Sequence, residues 1–163
     1  MDTPVRVVLV EDHPMFRVGL TATLGLTGDI AVVACAATEQ EAGALVAEHR
    51  PDVVVLDIGL PDGTGIALIP RLRAESRASH ILMLTSYDDA SIHAALRAGV
   101  RGYVVKTADP DDIVRAVRTV ATGAGHFSPT VVDRITTHVA TGGRSSDHST
   151  IPQLTRRERE IWR

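Results

Sequence analysis

The chain has 163 residues, 44% hydrophobic and 23% charged, which excludes a disordered chain and suffices for one domain of ordinary size plus an appendage. Aromatics are only 3%, so Val, Leu, Ile and Ala must build the core. The net charge of −3 is uneven: residues 151–163 carry four Arg against two Glu, leaving 13 basic and 18 acidic residues elsewhere, a balance that excludes nucleic-acid binding by the main body alone.

No apolar run approaches the roughly 18 residues of a membrane span. The N-terminal apolar tract holds Arg6 and is shorter than the core of a signal peptide, so a cytoplasmic protein with no membrane partner is expected. The single cysteine, Cys35, lies in the apolar stretch VVACAA and is expected as a small core residue in a reducing compartment.

In chain order, short Val-rich runs recur as VRVVLV (5–10), IAVVACA (30–36), DVVVLD (52–57), HILMLT (80–85) and GYVVK (102–106). Helical spacing separates them. Leu20 and Leu24 mark the first helix, and Ala42, Leu45, Val46 and His49 the second. Ile66, Ile69 and Leu72 mark the third, and Ile92, Ala95 and Leu96 the fourth. In the fifth, Ile113, Ala116, Val117 and Val120 share a face, Asp109 can cap, Pro110 suits the first helical position, and Gly123 or Gly125 can end it. Strand–helix alternation with nearly continuous apolar strands predicts a parallel sheet covered on both faces. The length of about 120 residues suits a flavodoxin-like (βα)5 doubly wound α/β fold of strand order 2-1-3-4-5, with a C-terminal linker helix, and is too short for an eight-unit barrel.

In such a sheet the ligand crevice lies beyond the carboxyl ends of the strands, where strand order reverses. The first strand ends in Glu11 and Asp12, the third in Asp57, the fourth in Thr85 and Ser86, the fifth in Lys106. Three carboxylates repel one another, and an all-oxygen site suits Mg²⁺. An ammonium and hydroxyls beside them form a clamp for a phosphoryl group in transfer, which one carboxylate can accept as an acyl phosphate. Asp57, on the central strand with small Gly59 two residues later, is the expected acceptor. Asp12 is expected to hold the metal, with Glu11 behind it through water, and Lys106 and Thr85, with Ser86 beside them, to take the phosphoryl oxygens.

The set VEDHP, VVLDIGLPDGTG, LMLTS and GYVVK, spanning roughly residues 5–122, resembles the receiver domain of two-component response regulators. LTRRERE (154–160) resembles the opening of a LuxR/NarL-type helix-turn-helix domain, with Thr155 and Glu158 as a capping box. The resemblance implies that Asp57 receives phosphate from a phosphohistidine of a sensor histidine kinase. It implies a Mg²⁺ ion on Asp12, Asp57 and the backbone carbonyl of Gly59, and a switch formed by Thr85 and Tyr103. It further implies self-association on phosphorylation, through the first and fifth helices or the fourth helix and fifth strand. Two departures stand out: Thr107 replaces the proline common after the lysine, so no cis bond is expected there. Ser86 stands where many receivers have Ala or Gly.

The expected organisation is a receiver domain over residues 1–125, a linker over 126–150, and over 151–163 the truncated start of the helix-turn-helix domain. Within the linker, 126–143 reads as a short amphipathic helix capped by Ser128, opened by Pro129, with Val132, Ile135 and Val139 on one face. Thirteen residues after position 150 are too few for a helix-turn-helix, so DNA would be read only through a C-terminal domain absent from this chain. The alternative of a Mg²⁺-dependent phosphatase with an aspartyl nucleophile calls for a second acid two residues after Asp57, where Gly59 stands. His13 directly follows Asp12, and no histidine pair has metal-ligand spacing.

Overall fold

The computed structural model describes residues 3–61, 63–86, 91–127, 131–133 and 136. Five strands form the body of the sheet: β1 (Val5–Val10), β2 (Ile30–Ala36), β3 (Val53–Asp57), β4 (His80–Thr85) and β5 (Gly102–Val105). A two-residue strand, β6 (His126–Phe127), is added at the edge. The order is β2-β1-β3-β4-β5-β6, and every pairing is parallel. The expected order of five is thus present, and the sixth strand continues it. Asp52 and Lys106 fall just outside the strands assigned to them.

The helices are α1 (Pro14–Gly25), α2 (Glu39–His49), α3 (Gly65–Glu75), α4 (Ser91–Ala98) and α5 (Pro110–Ala121). Local chemistry sets their ends. Thr38 accepts from the Glu41 backbone N–H at 3.1 Å, while the Glu41 carboxylate accepts from Ala37 N–H, so both sides of the first turn of α2 are satisfied. Asp109 accepts from Asp111 N–H at 2.9 Å, Pro110 opens α5, and Gly123 takes φ 90° beyond it. Arg50, which ends α2, is the only non-glycine residue with positive φ (44°) among those described.

Strand alternation divides the core into two layers. Val7, Leu9, Val53, Val55, Leu82, Leu84 and Val104 pack with α1 and α5. Val8, Val10, Val54, Leu56, Ile81, Met83 and Tyr103 pack with α2, α3 and α4. All four apolar residues of β3 before Asp57 have 0% exposure, because the central strand is covered on both faces.

Three local expectations are corrected. Cys35 is exposed, since β2 is the far edge of the sheet, and its sulfur lies 3.6 Å from the Thr21 hydroxyl of α1. His126 and Phe127, expected as the start of the linker, instead form a strand beside Gly102 and Tyr103, where the edge of β5 offers unpaired backbone groups. Residues 131–133 are helical, but Val131 is the buried residue, and Val132 is 45% exposed. Ser128, Pro129, Ile135 and Val139, and the tail with Thr155 and Glu158, lie outside the described residues. No cis peptide occurs among the described residues, Lys106–Thr107 included. None of their helices is long and apolar enough to cross a membrane.

Candidate functional site

The parallel register gathers the carboxyl ends of β1, β3, β4 and β5 along one side of the sheet. Val10 pairs with Leu56, Asp57 with Leu84, and Thr85 with Val105. The next residue along each strand is therefore delivered to a common pocket, and Glu11, Asp57 and Lys106 meet there. The Lys106 ammonium lies 2.6 Å from Glu11 Oε1 and 3.2 Å from Asp57 Oδ2. Glu11 is wholly buried and Asp57 is 6% exposed, whereas Asp12 faces solvent. One carboxylate oxygen from each of the three acids lies within 4.8 Å of the other two.

Each acid is positioned by backbone chemistry. Glu11 Oε2 accepts the His13 N–H at 2.9 Å, and the Glu11 carbonyl accepts Arg17 Nη1 at 2.9 Å, which fixes the turn from β1 into α1. The His13 imidazole caps α1 by accepting from Phe16 N–H at 3.4 Å. Asp57 Oδ1 faces the Gly59 N–H at 3.4 Å. Gly59 itself is exposed, and a Cβ there would meet nothing within 4 Å, so the approach to Asp57 stays open.

The electrostatics follow from this burial. Desolvation raises the Asp57 carboxyl, the charge of Glu11 raises it further, and Lys106 offsets only part, leaving a pKa of about 7. For Lys106, burial disfavours the ammonium, but the hydrogen bond to Glu11 and the charges of Asp57 and Glu11 outweigh it and raise the pKa above 10.5. One ammonium against three carboxylates leaves an excess of negative charge. An all-oxygen donor set with that excess fits a hard divalent cation such as Mg²⁺.

The remaining expected residues are placed as follows. Thr85 closes β4, is 4% exposed, and its carbonyl accepts the Lys106 N–H at 2.6 Å, which ties the two strand ends together. Ser86 is exposed just past the strand. Tyr103, which the resemblance implies as part of a switch, is completely buried. Alternation puts it on the α4 side of the sheet, the side that Thr85 also faces, two residues back along β5 from the partner of Thr85.

Two contributors were missed. The Phe16 ring lies 4.8 Å from the Lys106 ammonium, close enough for cation–π attraction. The available signal was an aromatic in a chain with only two Phe, one turn after Asp12 on a helix that starts at the site. The second is Gly65, the first residue of α3. Its N–H donates to the Ile58 carbonyl at 2.7 Å, and a Cβ there would overlap the Asp57 carbonyl oxygen. Only glycine lets α3 begin this close behind the acid.

Comparison with known proteins gives a consistent picture. The family model described as "Response regulator receiver domain" matches residues 7–118. The response regulator protein VraR of Staphylococcus aureus is 35% identical over 129 residues, covering 78% of this chain and 62% of its own. The chain thus spans less than two thirds of that relative. A LuxR-family two-component response regulator from Aurantimonas sp. SI85-9A1 superposes with a TM-score of 0.79 at 34% identity, covering 85% of this chain and 99% of that one. The signal receiver domain of the response regulator NarL from Mycobacterium tuberculosis gives 0.71 at 32% identity, with 75% and 99% covered.

Proposed function

Since the chain belongs to the response regulator receiver family, we propose that it accepts a phosphoryl group on Asp57 from a sensor histidine kinase and thereby controls an output beyond its own receiver fold. The observation that carries this reading is the convergence of Glu11, Asp12, Asp57 and Lys106 from three strand ends. Bound to Asp12, Asp57 and the Gly59 carbonyl, with Glu11 acting indirectly, Mg²⁺ would supply charge neutralisation for the incoming phosphoryl oxygens. An Asp57 carboxylate oxygen attacks phosphorus as the P–N bond to the donor imidazole breaks, and that electron pair leaves on the imidazole nitrogen. Lys106 then shifts from the carboxylates toward the phosphoryl oxygens, with Thr85 and Ser86 as hydroxyl donors. Phe16 limits where the ammonium can go.

The signal leaves the pocket through Thr85. When its hydroxyl turns to the phosphoryl group, it vacates space on the α4 side, and the Tyr103 ring can move into it. The partly paired surface of α4 and β5 is then biased between two states. Self-association is expected to strengthen with phosphorylation. Exposed Met15, Val18 and Leu26 on and just after α1 favour the α1–α5 surface over the α4–β5 one. Residues 1–125, with β6 on their edge, act as the receiver, 126–150 as linker, and 151–163 as the start of a LuxR-type DNA-binding domain. Such a module works in the cytoplasm and touches DNA only through that domain. A turnover phosphatase would need a proton donor where Gly59 has no side chain.

Intact-mass measurement with Mg²⁺ and a small acyl phosphate tests the proposal. One labile phosphoryl adduct is expected, lost in Asp57→Ala and impaired in Lys106→Ala. Steady turnover of unrelated phosphate esters would favour the phosphatase instead.

A further inference from the structure

At the opposite end of the sheet, an open recess of about 80 Å³ is lined by Arg73, Arg77, Ser79, His80, Ile81, Gly99 and Arg101. We propose that this recess is a second anion site, which takes the phosphoryl group of a small phosphorylated ligand. His80 begins β4 and Thr85 ends it, so five steps of about 3.3 Å put the recess roughly 16 Å from the acidic pocket.

Three observations carry the assignment. The first is uncompensated charge. Arg73, Arg77 and Arg101 form no ion pair with any carboxylate among the described residues, and Glu75, on the same helix as Arg73, is not drawn in. Three guanidiniums converging without a counter-charge in a chain of net charge −3 is an arrangement that an anion would relieve. The second is geometry. Arg73 lies in the last turn of α3, Arg77 in the turn that follows the helix, and Arg101 just before β5. Forks approaching from three segments suit the three oxygens of a phosphoryl group better than the two in-plane oxygens of a carboxylate. The third is rigidity. Arg73 Nη1 is held by the Ala98 carbonyl at 3.2 Å, at the C-terminus of α4. A Cβ at Gly99, which has φ 98°, would collide with that guanidinium. Ser79 is tied to the Ser76 hydroxyl at 2.7 Å and to the Pro51 carbonyl, so the floor of the recess is fixed by buried hydrogen bonds.

The test follows backbone amide shifts of the 163-residue chain in metal-free buffer at constant ionic strength, titrated with inorganic phosphate, chloride and acetate. Saturable phosphate shifts are expected at Ser79, His80, Gly99 and Arg101, with dissociation at least about tenfold weaker in Arg77→Gln/Arg101→Gln. If that variant loses its dispersed spectrum, Arg77→Lys/Arg101→Lys replaces it, and loss of the forked geometry should still weaken binding by about threefold or more. Equal shifts with chloride, equal affinity for acetate, unchanged binding in the variants, or shifts confined to the Asp57 pocket would each overturn the proposal. Tighter binding by a short DNA duplex at equal phosphate concentration would overturn the small-ligand assignment.

Discussion

Replacing Asp57 with Asn keeps the shape of the side chain and removes the charge that burial opposes. Asp57→Asn is therefore expected to be more stable than the parent at alkaline pH when no metal is present. The carboxyl stands at about 7 in the fold against 3.8 ordinarily. Because the folded value is the higher one, its contribution to stability is complete below 3.8 and is lost as the pH rises through about 7. A difference of that size corresponds to about 4 kcal/mol as an upper bound, at about 1.4 kcal/mol per tenfold change in proton affinity. The pocket opens to solvent beside Asp12, and screening there reduces the expectation to about 2 kcal/mol. Urea denaturation in EDTA at about pH 4.5 and about pH 8.5 measures it, because the stability of variant over parent should widen by that amount at the higher pH. Saturating Mg²⁺ should then stabilise the parent and leave the variant nearly unmoved. A gap that stays constant with pH, or narrows at the higher value, would refute the claim that burial and Glu11 strain this carboxylate.

Gly65→Ala is expected to cost about 1–3 kcal/mol and to slow acyl-phosphate labelling of Asp57, since the added Cβ must push against the backbone carbonyl of that residue; thermal unfolding and intact mass read the two effects. Arg50→Gly relieves the positive φ at the end of α2 and should raise stability by about 1 kcal/mol in urea titration, because the hydrogen bonds made there by its N–H and carbonyl belong to the backbone. Lys106→Met should lower labelling sharply while retaining Mg²⁺ binding, checked by mass and by calorimetric titration; full labelling would remove the ammonium from the mechanism.

The sheet was legible because a strand buried on both faces must be apolar at every position, and the runs at 53–56 and 81–84 have that form. The acidic pocket was legible for a related reason: an ionisable residue at the end of such a run needs partners, and parallel register brings strand ends together. Features that depend on distances between elements were not legible. Gly65 looks like any loop glycine until α3 is seen to start against the Asp57 carbonyl. Phe16 becomes part of the site only when α1 lies beside the end of β5. Cys35 sits in a run as apolar as the others, and edge position alone exposes it. The two residues of β6 carry no periodic signal, and it is the free edge of β5 that makes them a strand.

Borohydride reduction of the phosphorylated chain, followed by peptide mass spectrometry, is the most direct test of the central claim, because it converts an acyl phosphate to an alcohol and marks the residue that held it. The mark should fall on Asp57 alone and vanish when EDTA replaces Mg²⁺. A mark on Glu11, Asp12 or any other residue, or a chain left unmarked with donor and Mg²⁺ in excess, would contradict it.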